Sequence, residues 1–264
     1  MNRIDLKFKE LKRARKKALI LFITAGDPSL KKTEELIYAF EKEGVDLIEL
    51  GVPFSDPLAD GPVIQASSMR SLTHHTNLAQ ILALVKRVRR KSRIPLLFMS
   101  YLNPIQSYGI DRFARDAKAA GLDGVIIPDL PPDEGKAIAK SVNGKNVHLV
   151  YLLAPTSTAA RQKRVVSASR GFVYYVSITG VTGVQRDLPP TVKANILSAK
   201  RRTKLPVCVG FGVSNPEQAR SVAKAADGVI IGSAVVRALN EHRGLSAAAF
   251  AKKFVRPFAR ALGK

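Results

Sequence analysis

Apolar runs and amphipathic stretches alternate along this chain with a repeat that organises the rest of the reading. Eight short runs rich in β-branched and aromatic residues recur: ALILFIT (18–24), DLIEL (46–50), PLLFMSY (95–101), GVIIP (124–128), VHLVYLL (147–153), FVYYVS (172–177), PVCVG (206–210) and GVIIG (228–232). Their spacing, roughly 20 to 50 residues, is that of a strand plus a crossover helix. Between them lie amphipathic stretches at 29–43, 78–90, 110–120, 190–202 and 216–225, each with apolar residues at helical spacing. Continuous apolar runs fit parallel strands buried on both faces. Eightfold alternation points to an α/β fold, a closed (β/α)8 TIM barrel rather than an open doubly wound sheet. Extra helices are expected before the first strand, at 63–72 and at 245–260. No linker or low-complexity stretch divides the chain, so residues 1–264 read as a single domain.

Within this pattern the segment LIELGVPFSDPLADG (47–61) stands apart. Strand parity puts Val45, Leu47 and Glu49 on one face and Asp46, Ile48 and Leu50 on the other, so Glu49 points into the same interior as Leu47. A buried carboxylate is costly unless it is satisfied or used. The Gly/Pro-rich loop that follows delivers a second acid, Asp60. Singly, Glu49 also fits a salt-bridged core acid, and Asp60 an Asx turn or helix cap. Together, at the carboxyl end of one barrel strand, they read as an acid/base pair.

Glycine-rich loops close the last three strands: TGVTG (179–183), GFG (210–212) and IGS (231–233). Loops after strands seven and eight are the usual phosphate site of such barrels, and Ser233 would open a short helix whose amino end attracts an anion. A phosphorylated substrate is expected. Of Tyr174 and Tyr175, parity sends one inward and one outward. The adjacent His74 and His75 lack the spacing of a helical zinc site, and no metal is expected. No predicted strand carries an interior lysine, which leaves an imine-forming aldolase without its nucleophile.

Composition changes this picture little. The chain carries a net charge of +22, gathered in runs such as 12–17, 86–93, 200–204 and 252–260. These read as solvated helix faces; without interleaved aromatic residues or a nucleic-acid motif, binding to DNA or RNA is not expected. The single cysteine, Cys208, sits in an apolar run, excludes an internal disulfide and suits a reducing cytoplasm. No apolar run approaches a membrane span. The amino-terminal segment has basic residues but no apolar core of a secretory signal. Asp5, Glu10 and the lack of serine argue against a transit peptide.

The pieces FITAGDP, IELGVPFSDPLADGPVIQ, SYLNPI, YGIDRFARDAKAAGLDGVIIPDLPP, YLLAPTST, YYVSITGVTG, LPVCVGFGVSNPEQA and DGVIIGSAVV resemble the tryptophan synthase α-subunit family over nearly the whole chain. The resemblance implies a lyase of tryptophan biosynthesis, reversibly cleaving indole-3-glycerol phosphate to indole and glyceraldehyde 3-phosphate. It implies Glu49 as general acid/base, Asp60 as the group stabilising a cationic indole nitrogen, and Tyr174 as the active-site tyrosine. Phe22, Ile64 and Ile127 would wall the indole pocket. Gly183, Phe211, Gly212, Gly232 and Ser233 would hold phosphate, with Thr182 on a mobile loop. It further implies no cofactor in this chain and a heterotetramer of two α and two β chains, in which pyridoxal phosphate belongs to the β chain. The matching contact regions are 53–57, 101–104 and 129–131. The residues alone also fit another phosphate-binding barrel, such as an isomerase, or a barrel without useful turnover that activates a β chain or holds a polyanion.

Overall fold

The computed structural model describes residues 1–176, 190–210 and 212–264. Among them lie nine parallel strands: β1 (Ala18–Thr24), β2 (Leu47–Gly51), β3 (Leu96–Met99), β4 (Gly124–Ile126), β5 (His148–Val150), β6 (Leu152–Leu153), β7 (Val173–Val176), β8 (Val207–Gly210) and β9 (Gly228–Ile231). They pair in the order β5-β4-β3-β2-β1-β9-β8-β7-β6. The extra strand arises from the fifth apolar run, which divides at Tyr151. Its first half pairs with β4 and its second half with β7. A staggered strand that bonds one neighbour low and the other high is what closing a sheared sheet into a barrel requires.

Two apolar layers follow from strand parity. Ala18, Ile20, Leu47, Leu97, Ile126, Val150, Phe172, Tyr174, Cys208 and Ile230 fill the barrel interior. Leu19, Leu21, Ile48, Leu50, Phe98, Val125 and Tyr175 pack outward against the helices. Tyr174 is therefore the inward tyrosine, and Cys208 is a buried core thiol. Val45 departs from the parity expectation and joins the outer layer, because the strand begins only at Leu47.

The amino end of the barrel is closed by α1 (Arg3–Arg13), whose Ile4, Phe8 and Leu11 project one stripe into the interior cluster. The side chain of Asn2 caps it, accepting from the Ile4 amide at 2.9 Å. Around the outside run α2 (Leu30–Lys42), α3 (Pro62–Leu72), α4 (Leu78–Val88), α5 (Leu102–Tyr108), α6 (Ile110–Ala120), α7 (Lys136–Gly144), α8 (Ala159–Ala168), α9 (Pro190–Arg201), α10 (Pro216–Ala223) and α11 (Ser233–Glu241). The expected terminal helix is present but interrupted: α12 (Ala247–Phe250) passes through a π-helical turn (Ala251–Val255) into α13 (Arg256–Ala261). A regular ladder cannot run through Pro257, which has no N–H to donate, and the turn ends two residues before it. Among the described residues, no helix is long and apolar enough to cross a membrane.

Candidate active site

The carboxyl end of the barrel, opposite α1, carries the two acids. Glu49 lies on β2 in register with Phe22 of β1 and Leu97 of β3. It is 0% exposed, and neither carboxylate oxygen has a hydrogen-bond partner among the described residues. The salt-bridged core acid is therefore absent. Burial penalises the charged form and pushes the Glu49 pKa up to about 8.

Asp60 sits in the loop between β2 and α3. It caps nothing: the N-cap of α3 is Gly61, which offers no side-chain acceptor. The carboxylate of Asp60 instead receives the hydroxyl of Tyr101, while the Tyr101 oxygen accepts the Ala59 amide at 2.9 Å. Burial raises the Asp60 pKa to about 6, and the Tyr101 hydrogen bond opposes that rise. Asp60 in turn contributes to a raised Tyr101 pKa, after burial. The phenol of Tyr174 is pushed well above its ordinary range, by burial first and then by the charges of Glu49, Cys208 and Asp60. Tyr174 thus lies within electrostatic reach of both acids.

Asp60 and Tyr174 line a cavity of about 270 Å³ together with Phe22, Ile64, Gly212, Gly232 and Ser233. Small residues make room for its aromatic walls. A Cβ at Gly210 would come 2.8 Å from Tyr174 Cζ, and one at Gly51 would come 2.8 Å from Phe22 Cε2. On the same cavity, Gly232 caps α11 without a side-chain acceptor. The first amides of this helix have no intrahelical partner, and with the helix dipole they make an anion site. Gly212 faces the same space at a φ of +85°, a conformation natural to glycine.

Glu49, fully buried, is not among the side chains that line this cavity, and the structure does not bring Ile127 to it either. Directly after β4 it packs in the outer layer, because Ile126 takes the inward position. Thr182, Gly183 and Phe211, with the loop 179–183, lie outside the described residues. His74 and His75 are exposed beyond the end of α3, and no group of three His, Cys, Asp or Glu side chains that could hold a metal occurs among the described residues. Sequence reasoning passed over Met99, Val213, Ile230 and Arg237, which also line the cavity. Met99 and Ile230 were within reach of strand parity, from Leu97 and Gly228. Arg237 was within reach of helical spacing, four residues after Ser233. The bond from Tyr101 to Asp60 had no signal in the sequence.

Comparison with known proteins places the chain in one family. A family model described as tryptophan synthase alpha chain matches residues 8–261. The tryptophan synthase alpha chain of Geotalea daltonii is 51% identical over 92% of this chain and 92% of its own. That of Thermoanaerobacter pseudethanolicus is 47% identical over 89% and 90%. The tryptophan synthase subunit alpha of Legionella pneumophila superposes with a TM-score of 0.93 at 38% identity, covering 100% of this chain and 99% of that one. A chain from a Pyrococcus furiosus structure, which concerns mutual activation of the tryptophan synthase a2b2 complex, gives 0.85 at 38% identity over 92% and 98%.

Proposed function

Because this chain belongs to the tryptophan synthase alpha chain family, lyases that cleave indole-3-glycerol phosphate to indole and glyceraldehyde 3-phosphate in tryptophan biosynthesis, we propose that Glu49 and Asp60 divide the chemistry of that cleavage. With a pKa of about 8, Glu49 is mostly protonated at neutral pH and can act as an acid. It gives its proton to indole C3, which converts the ring to an indolenine with a cationic nitrogen. The resulting Glu49 carboxylate takes the proton of the side-chain hydroxyl next to the scissile bond. The aldehyde forms, the C–C bond breaks, and its electron pair returns to the ring and neutralises the nitrogen. One proton is given and one recovered, so Glu49 ends as it began.

Asp60, with a pKa of about 6, is mostly ionised at the same pH and offers a negative charge to the cationic nitrogen. Two carboxyl groups whose surroundings push their pKa values apart are thereby assigned opposite roles. Tyr174 borders both acids. Phe22 and Ile64 supply apolar walls for the indole ring, and the amides at Gly212, Gly232 and Ser233 receive the phosphate. Thr182, Gly183 and Phe211 join this reading by resemblance only.

The observation that carries the proposal is the buried carboxyl of Glu49 on β2, without a hydrogen-bond partner among the described residues. Indole release from indole-3-glycerol phosphate tests it, with Glu49→Gln alongside. Turnover that survives the substitution would remove Glu49 from the mechanism. A chain that isomerises the substrate without releasing indole would turn the assignment toward the isomerase class.

The partner proposed is a tryptophan synthase β chain in a complex of two α and two β chains, acting in the cytoplasm. Pyridoxal phosphate would sit in that partner, and this chain would use no cofactor of its own. The loop that delivers Asp60 supports the reading: Leu58 within it is 93% exposed, an apolar side chain left in water. Co-elution of the two chains in size-exclusion chromatography, weakened by Leu58→Asp, is the expected result.

A further inference from the structure

The phosphate end of the cavity contains a cation that neither the sequence pattern nor the family resemblance singled out. Arg237 lies on α11, four residues after Ser233, and lines the same cavity as Gly212, Gly232 and Ser233. Helical side chains lean toward the amino end of their helix, so residues i and i+4 share a face and Arg237 reaches back over the turn that Ser233 opens. Its side chain is exposed, and among the described residues no ion pair or hydrogen bond occupies it. Cations elsewhere on the barrel, by contrast, are held in ion pairs: Arg89 by Asp123, Arg256 by Glu43 and Lys200 by Asp227.

A phosphate monoester brings close to two negative charges at neutral pH. Amides at one helix end supply about half a positive charge, which leaves most of that anion uncompensated. A guanidinium adds a full charge and a planar fork that matches two phosphate oxygens. Resting on the function proposed above, we infer that Arg237 is a substrate-binding residue that grips the phosphate of the phosphorylated substrate beside the α11 amides.

The test compares the isolated chain with Arg237→Gln and Arg237→Lys in steady-state indole release, and measures inorganic phosphate binding to each by calorimetry at low and high salt. Arg237→Gln is expected to raise KM and the phosphate Kd about tenfold, with kcat falling by less than about threefold, as for loss of binding shared by ground and transition states. Arg237→Lys should recover most of both constants. Salt should weaken phosphate binding less in Arg237→Gln than in the natural chain, since one screened charge is gone. A Kd and KM unmoved by Arg237→Gln, or a fall confined to kcat, would overturn the assignment. Absence of indole release by the natural chain would count against the proposed reaction instead. The phosphate measurements would then still decide the role of Arg237.

Discussion

The two ends of this barrel treat buried acids in opposite ways. At the amino end, Asp46, Asp123 and Asp227 each precede a strand and each accepts the amide of a neighbouring strand, from Leu19, Leu96 and Val207 respectively, at 2.7, 2.9 and 3.0 Å. Each also holds a cation: Lys264 for Asp46, Arg3 and Arg89 for Asp123, and Lys200 for Asp227. Three residues along the chain from Asp46, Glu49 is equally buried and bonds to nothing described. Asp46 and Asp123 are buried as Glu49 is, while Asp227 is 31% exposed. Satisfaction is what separates a strut from a reacting group, because an unpaired buried carboxyl persists only where something else selects it.

The sharpest break of this comparison exchanges the two kinds of acid for amides. Glu49→Gln should lower kcat by about a thousandfold, within the range typical of a lost general acid or base, while the melting temperature holds or rises. Asp123→Asn should do the reverse. It leaves the guanidinium of Arg89, only 10% exposed, without its charge partner, and such breakage costs about 3 kcal/mol. The turnover of the folded fraction should persist. Urea unfolding and indole release, run on both variants, give the four numbers. If Glu49→Gln were the one that unfolded, the distinction between the ends would collapse.

A second consequence concerns pH. The folded-state pKa of Glu49, about 8, lies above its ordinary value of 4.5. Between those values the folded chain keeps a proton that the unfolded chain has lost, so this residue erodes stability as pH rises through the window. Glu49→Gln removes the erosion. The variant should match the natural chain near pH 4.5, gain on it steadily, and level off above pH 8, with an advantage on the order of 3 kcal/mol at pH 7. Parallel stability curves across that range would mean that Glu49 is not buried as described.

The alternation of runs was enough to read the barrel, and parity alone aimed Glu49 inward. Both are local properties, repeated every few residues and little altered by the rest of the chain. The inward choice of Tyr174 over Tyr175 was open to the sequence, since parity fixes only that neighbours differ. The division of the fifth run at Tyr151 was not legible, because it reflects the stagger that arises when first and last ladders meet. Nor was the displacement of Ile127 from the cavity, which depends on where β4 ends. The solitude of Glu49 could not be read at all: a missing partner is a statement about every other residue in space. Tyr101 falls in the same class, meaningful only against a residue on another part of the rim.

The smallest expected effect probes how finely the rim is set. Asp60 is raised by burial to about 6 and restrained by the Tyr101 hydroxyl. With Glu49 acting as acid near 8, kcat/KM should follow a bell with limbs close to those two values. Tyr101→Phe removes the restraint and leaves the burial, so the acidic limb should move up by about half a unit to one unit. At pH 6.5 that protonates more of Asp60 and lowers kcat/KM about 1.5-fold to threefold; near pH 8 the loss should disappear. Tyr108→Phe is the control, because that hydroxyl bonds Asp116 at 2.8 Å on the surface and should leave both limbs in place. An acidic limb unmoved in Tyr101→Phe would show that Asp60 titrates without help from its neighbour, and a loss equal at all pH values would make Tyr101 a support for the loop through Ala59 alone.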